Sequence, residues 1–117
     1  MQASSVINRA RDILLDTDGI RWLDGDLVKY LESAEREILS RRPEANIYFD
    51  TESNQIAIQT YSPPGTTSST LAISDRYMMC AAFLVSHYAL MRDTSDPNNL
   101  RRAQECRNEF ERHLAQV

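Results

Sequence analysis

Hydrophobic positions divide the 117-residue chain into two helical halves around a middle segment with a different period. In the first helix Val6, Ile7, Ala10, Ile13 and Leu14 recur every three or four residues, the spacing of a buried helical stripe. We expect Ser4 or Ser5 to cap this helix, and Gly19 to supply the positive φ of the turn that follows it. The pattern predicts a helix over about residues 5–15.

The second helix is predicted over about residues 25–42. Asp24 is the expected N-cap, and the helix ends before Pro43, which disfavours the helical conformation in the residue preceding it. Its buried stripe is Leu27, Tyr30, Leu31, Ala34 and Ile38. The acidic residues Glu32, Glu35 and Glu37 are expected on the solvated face.

The middle segment has the alternation of strands. Ile47 and Phe49, then Ile56 and Ile58, recur at a spacing of two around a turn-like stretch. This predicts a β-hairpin or extended arm over about residues 46–61. A linker is expected over about residues 62–73, of which Ser62 to Thr70, rich in Pro, Ser and Thr, is flexible or polyproline-like with almost nothing to bury.

The second half contains two more predicted helices. Residues 75–92, opened by Ser74, are apolar nearly all round, which is typical of a helix that is central in its domain or shared with a neighbour. Residues 97–115 form an amphipathic helix with the stripe Leu100, Ala103, Arg107, Phe110 and Leu114. The fold class is therefore mainly α: a single four-helix, bundle-like domain with the hairpin or arm between helices 2 and 3.

Charge and composition narrow the possible partners. The chain has 17 acidic and 13 basic residues and a net charge of −4, unlike proteins that draw affinity for DNA or anionic membranes from Lys and Arg. All the basic residues except Lys29 are Arg, which reflects either assembly contacts or a GC-rich genome. Cys80 and Cys106 are expected to be buried thiols in a reducing compartment. The start of the chain lacks the features of a signal peptide, and no apolar stretch reaches the ~18 residues of a membrane span.

No arrangement of residues typical of catalysis is evident, so we expect a binding protein rather than an enzyme, with no cofactor. Asp16, Asp18 and Gly19 begin like a calcium loop, but position 25, where that loop needs Glu, is Gly25. We interpret this stretch as a helix-terminating turn. His87 and His113 have no second ligand at metal-binding spacing, so no metal site is expected.

The middle segment carries the candidate contact residues Tyr48, Phe49, Ile56, Ile58 and Tyr61. Two interpretations remain open for them. They could close the open end of the helical bundle, or they could contact a neighbouring chain by strand addition, in which backbone hydrogen bonds supply affinity.

The sequence resembles the head-to-tail adaptor, or connector, proteins of tailed bacteriophages over nearly the whole chain except residues 46–73. The residues that carry the resemblance in the first half are Val6 to Asp16, Gly19 to Trp22, Asp24 to Leu27, Tyr30-Leu31, Ala34 to Ile38 and Arg42 to Ala45. Those in the second half are Tyr88 to Asp93, Asn99 to Ala103 and Phe110.

The resemblance implies a subunit of a homo-oligomeric ring, typically of twelve copies, between the portal protein and a tail or nozzle protein. DNA would pass through its centre without sequence-specific binding. Such a protein is made in the cytoplasm of the host bacterium and resides in the virion, at the head–tail junction. In this context the five middle-segment residues are candidate subunit contacts, and Arg107, Glu109, Arg112 and His113 on the last helix are candidate portal-docking residues.

Two alternatives belong to other functional classes. One is a small cytosolic regulatory module that binds a single protein partner, as a monomer or dimer. The other is a nucleic-acid regulator that would use Arg9, Arg11 and Arg21, or Arg41 and Arg42. A steep loss of affinity with rising salt would identify the second.

Overall fold

The computed structural model describes residues 1–117 and has four helices with a two-stranded antiparallel hairpin between the second and third, which confirms the predicted fold class. The elements in chain order are α1 (Ala3–Leu14), α2 (Asp24–Arg41), β1 (Ile47–Asp50), β2 (Gln55–Ile58), α3 (Met78–Arg92) and α4 (Asn98–Gln116). Short 3-10 turns precede β1 and α3. The molecule is elongated, with extents of 50 × 28 × 19 Å.

Helix α3 lies at the centre of the bundle and packs against the other three helices. Its buried side chains are on several sides of the helix, as its nearly continuous apolar sequence predicts; they include Cys80, Ala81, Leu84, Val85 and Leu90. Since Ala81, Ala82 and Ala89 are small, neighbouring helices can approach α3 closely. The apolar sequence of α3 left two interpretations, a helix central in its own domain or one shared with a neighbour. The structure has the first.

Helix α1 begins differently from the prediction, because carbonyl groups from a distant segment cap it. Gln2 is the N-cap, and no side chain bonds the first turn, so the prediction of a Ser4 or Ser5 cap is wrong. Instead the N–H of Ala3 donates to Ser69 O at 2.8 Å, and the N–H of Ser4 donates to Thr67 O at 2.7 Å. These bonds satisfy two of the N–H groups that a helix leaves without internal partners.

The carboxyl end of the predicted linker is part of the core. Leu71, Ala72 and Ile73 are all under 5% exposed, so the last three residues of the predicted 62–73 linker belong to the core instead. Glu35, expected on the solvated face of α2, is fully buried here, and Oε2 accepts the N–H of Ala72 at 2.6 Å and of Ile73 at 3.3 Å. A buried carboxylate requires such partners, and this one attaches the linker to α2.

Two further details of the helices differ from the prediction. Leu23, not Asp24, is the N-cap of α2, because the Asp24 carboxylate instead accepts the guanidinium of Arg11 at 2.5 Å. In α4 the buried stripe includes Asn99 rather than Leu100, which is 62% exposed. Asn99 is held inward because its amide donates to Asp93 O at 2.9 Å, across the α3–α4 connection.

Both cysteines are buried and unpaired, as predicted. Burial raises the pKa of Cys80, and it raises the pKa of Cys106 to about 11. Both side chains are therefore protonated near neutral pH and behave as small apolar groups. None of the helices combines the length and apolar character that crossing a lipid bilayer requires.

Candidate interaction surfaces

The hairpin places four large apolar side chains on one face. In its register Ile47 pairs with Ile58 and Phe49 pairs with Ile56, and directly opposed residues of an antiparallel pair share a face. Tyr48 and Ala57 are opposed on the other face. We call the face formed by Ile47, Phe49, Ile56 and Ile58 the arm face.

The arm face is not covered by the bundle. Phe49 is 57% exposed, Ile56 75% and Ile58 68%. The interpretation that these residues close the open end of the bundle is therefore wrong for this structure. Tyr61, predicted with them, lies beyond β2 and is half-buried, with a hydroxyl that is enclosed and has no hydrogen-bond partner.

The base of the hairpin is fixed to the bundle. The N–H of Gln59 donates to Asn46 O at 2.8 Å, and the Asn46 amide donates to Gln59 O at 3.3 Å. The N–H of Ser74, on the segment that returns to α3, donates to Ala45 O at 2.9 Å. The apolar face therefore projects from a defined position rather than from a free loop.

The outer edge of β1 borders a groove of about 600 Å³, whose other wall is residues 70–76. In an antiparallel pair of strands, hydrogen-bonded residue pairs alternate with pairs that make no bonds to each other. Asn46 and Gln59 form a hydrogen-bonded pair, so Phe49, three residues further along, belongs to a pair of the other kind. The backbone N–H and C=O groups of Phe49 therefore point away from β2. Phe49 makes no backbone hydrogen bond outside the hairpin. This edge is thus available to an extended segment from another chain.

The four residues predicted on α4 as portal-docking candidates do not form one surface. Arg107 faces α2, where Nη1 is 2.9 Å from Glu37 Oε2. Glu109 pairs with Arg112 at 2.5 Å, and the His113 ring stacks on Phe83 with ring centroids 5.3 Å apart. The structure brings the last three together and separates Arg107 from them.

Arg107 belongs to a polar cluster that joins α2, α3 and α4. Tyr88 donates to Glu37 Oε1 at 2.9 Å, and Arg41 makes a two-pronged contact with Glu111 at 2.6 and 2.7 Å. Burial, together with the bond to Glu37, raises the pKa of Tyr88 to about 12. Glu37 Oε2 and Arg41 Nη1, four residues apart on α2, are 3.9 Å from each other, because both side chains have closer partners on α4.

At the opposite end of the bundle, Asp16 organises the α1–α2 connection. Its carboxylate accepts the N–H groups of Ile20, Arg21 and Trp22, at 3.0 to 3.2 Å, and the guanidinium of Arg11. Burial raises a carboxyl pKa, but these donors outweigh it and hold the pKa of Asp16 below its ordinary value. Arg11 supplies the positive charge for this loop, and Gly19 has the expected positive φ of 69°.

The same end exposes several apolar side chains that were not predicted to be exposed. The α1–α2 and α3–α4 connections both lie here, linked by an Arg21–Asp93 ion pair of 2.7 Å. We call this surface the loop end; its exposed apolar residues are Leu15, Ile20, Leu23, Met91 and Leu100. The signal in the sequence was the presence of three aliphatic residues, Leu15, Ile20 and Leu23, in or beside a short connection with two Asp residues.

The arginines proposed for nucleic-acid binding are largely occupied within the fold. Arg11 is buried on Asp16 and Asp24, and Arg21 pairs with Asp93. Arg41 pairs with Glu111, which leaves Arg9 and Arg42. Arg42 donates to Leu114 O at 3.3 Å. These residues do not form a basic patch, so the structure offers no support for that alternative.

No three His, Cys, Asp or Glu side chains come together in an arrangement that could hold a metal ion. His87 instead contacts the carbonyl of Ala103 through Nδ1 at 2.8 Å, in keeping with the predicted packing role.

In comparisons with known proteins, no family model, curated protein or solved structure matches this chain.

Proposed function

We propose that this chain is a structural head-to-tail adaptor of a tailed phage, a subunit that completes its surface by contact with further copies. The observation that carries the proposal is the exposed arm face, held in a fixed position by the base of the hairpin. The resemblance of the sequence to connector proteins supplies the biological context.

The energetics of the arm favour burial by a neighbour. A two-stranded hairpin is marginally stable alone, and this one has no helix against its apolar face. Covering a Phe or Ile side chain completely contributes about 1.5–3 kcal/mol, so covering Phe49, Ile56 and Ile58 together would favour association strongly. The unpaired edge of β1 adds backbone hydrogen bonds to that gain.

A repeated contact of this kind joins one surface of a subunit to a different surface of the next. Contacts of this type that close produce a ring, and the resemblance implies about twelve copies between portal and tail or nozzle proteins. Within the proposal, Glu109, Arg112 and His113 remain the candidate residues for the portal, and the protein resides at the head–tail junction of the virion.

The proposal extends to the passage of DNA. A chain of net charge −4 can line a channel without binding DNA tightly, because like charge repels the phosphates. We expect acidic side chains to face the bore of the ring. A ring structure with an arginine-lined bore would contradict this part of the proposal.

A matched pair of variants tests the role of the arm. Ile56→Lys places a charge on the arm face, whereas Gln55→Lys places the same charge one residue away on the opposite face. Mixed with assembled rings of a tailed-phage portal protein, the wild type and Gln55→Lys should form stoichiometric complexes seen by electron microscopy. Ile56→Lys should not. Equal binding by both variants, or no binding by the wild type at high concentration, would contradict the proposal.

The regulatory-module alternative is favoured by one observation, the groove beside β1. A groove of about 600 Å³ lies within the range of sites that accept a single ligand or peptide segment. Stoichiometry separates the two functions. A regulatory module forms one-to-one complexes with a monomeric partner, whereas the adaptor adds many copies to one portal ring.

A further inference from the structure

The loop end is a second apolar surface, separate from the arm. Leu15 is 84% exposed and Ile20 80%, with Leu23, Met91 and Leu100 also exposed. Helices α1 and α3 end here and α2 and α4 begin here, whereas the hairpin follows the carboxyl end of α2 at the other end of the bundle. A partner at the loop end would therefore not compete with a partner on the arm.

Charges flank this apolar surface asymmetrically. On the α1–α2 side the carboxylates of Asp12, Asp18 and Asp26 make no ion pair, and the guanidinium of Arg11 is already held by Asp16 and Asp24. The nearest free cations on that side, Arg9 and Lys29, are three residues from Asp12 and Asp26 respectively and lie further from the end of the bundle than those carboxylates.

On the α3–α4 side the unpaired charges are positive except for that of Asp96. Arg92 makes no ion pair, Arg101 has only a 4.0 Å contact with Glu105, and Arg102 donates only to the carbonyl of Leu14. The negative groups on this side are Asp93, which pairs with Arg21, and Asp96, which accepts the N–H of Asn98. Helix α4 packs mainly on α3, and the Arg21–Asp93 ion pair joins the two connections, so the carboxylates lie on one side of the loop end and the arginines on the other.

We infer that the loop end binds the loop end of a second copy, about a two-fold axis. A surface with an apolar centre, a negative side and a positive side is complementary to itself when rotated by 180°. The carboxylates of one copy then face the arginines of the other, while Leu15, Ile20 and Leu23 are covered in the centre. This contact goes beyond the proposed ring, because it joins copies end to end and does not use the arm.

The area of the loop end limits the expected affinity of dimerisation. The two shorter extents of the molecule, 28 and 19 Å, limit the end face to roughly 500 Å², below the roughly 800 Å² per partner of a standard interface. The isolated chain should therefore dimerise weakly and reversibly. Copies already held side by side in a ring would bind a second ring far more tightly, because their contacts act together.

Sedimentation velocity over a concentration series, from about 10 µM to about 1 mM, tests the inference. The wild type should show reversible dimerisation that weakens as salt rises, because opposed charges contribute to it. Ile20→Asp, at a highly exposed position that should not disturb folding, should weaken dimerisation at least tenfold. Gln55→Asp, which adds the same charge on the face of the hairpin opposite the arm face, is the control and should leave it unchanged.

A charge exchange provides a sharper test of the two-fold arrangement. Asp18→Arg alone and Arg101→Asp alone should each weaken dimerisation, and the double variant should regain it, because the two sides are then exchanged. A wild type that is monomeric at the highest concentration would overturn the inference, as would dimerisation unaffected by Ile20→Asp. Loss of binding to a purified tail or portal protein in Ile20→Asp, with no dimer at any concentration, would assign the surface to that protein instead.

These results are separable from the test of the adaptor proposal. Portal binding by Ile56→Lys equal to that of the wild type would contradict the role of the arm, whereas dimerisation unaffected by Ile20→Asp would contradict the loop-end contact. Either proposal can therefore fail while the other stands.

Discussion

The helical bundle and the hairpin arm use apolar residues in opposite ways. Phe110 in α4 is fully buried, with the guanidinium groups of Arg41 and Arg107 over its ring at 5.5 and 5.3 Å, whereas Phe49 in β1 is mostly exposed. The bundle also encloses polar groups with their partners, such as Glu35 with the N–H groups of Ala72 and Ile73. The arm makes its backbone bonds within itself and leaves its apolar face to solvent.

This difference separates the region that stabilises the chain from the region that is free to contact other molecules. Substitutions in the bundle should change the free energy of unfolding, whereas substitutions on the arm face should hardly change it. Substitutions on the arm face should instead weaken assembly. Each of the following substitutions measures one side of that comparison.

The largest effect is expected from truncating the aromatic side chain of the core. Phe110→Ala should lower the free energy of unfolding by about 3–5 kcal/mol, because it leaves a cavity among packed helices. Phe49→Ala, the same truncation on the arm, should change it by less than about 0.5 kcal/mol. Urea denaturation followed by circular dichroism measures both. A loss above about 1.5 kcal/mol for Phe49→Ala would mean that the arm is part of the folding core.

A smaller loss is expected when the carboxylate that holds the linker is removed. Glu35→Ala leaves the N–H groups of Ala72 and Ile73 buried without an acceptor, which should cost about 2 kcal/mol. Amide hydrogen exchange should accelerate at these two residues before it does so in α3. Glu32→Ala, one turn away on the exposed side of α2, is the control and should have little effect. Unchanged protection of Ala72 and Ile73 would refute the role assigned to Glu35.

The smallest effect is a pH dependence from the same carboxyl group. Burial raises the pKa of Glu35 in the folded state, although its bonds to Ala72 and Ile73 oppose this. A group with a raised pKa holds its proton more tightly when folded. Its contribution to stability is therefore full below the unfolded pKa and is lost as the pH rises through the folded pKa.

The Glu35→Gln variant isolates that contribution, because an amide keeps the acceptor oxygen but does not titrate. The stability of the wild type minus that of Glu35→Gln should decline as the pH rises above the ordinary pKa of a glutamate. Taking the difference removes the contributions of other titrating residues to the pH dependence. Asp16 is one of them, and because its pKa is lowered, its contribution to stability increases with pH. A difference that rises with pH would show that the carboxylate is better accommodated than its burial indicates.

The sequence predicted the elements of this fold because their signals are local. The three- and four-residue spacing of Val6 to Leu14 and the two-residue spacing of Ile47, Phe49, Ile56 and Ile58 each determine a structure within a few residues. The composition of α3 left two alternatives, a helix central in its domain or one shared with a neighbour, and the structure has the first. The exposure of the arm face could not be predicted, because a two-residue spacing indicates that one face of a strand is apolar but not whether another element covers that face.

The errors involve contacts between distant parts of the chain. Leu71 to Ile73 follow a segment rich in Ser and Thr, and only their packing against the bundle makes them core residues. Glu35 lies four residues after Leu31 and three before Ile38, so its spacing placed it beside the buried stripe, but its charge argued for solvent. A capping carbonyl from Ser69 could not be inferred from the sequence around Ala3.

The docking of residues 67–71 on the start of α1 has a consequence for biosynthesis. The amide groups of Ala3 and Ser4 leave the ribosome among the first, but the carbonyls that they require belong to residues more than sixty positions later. Until then the first turn of α1 has no acceptors for these groups and should fray. Closure of the domain therefore depends on a late, sequence-distant contact, and a nascent chain that ends before residue 71 should remain open at its amino end.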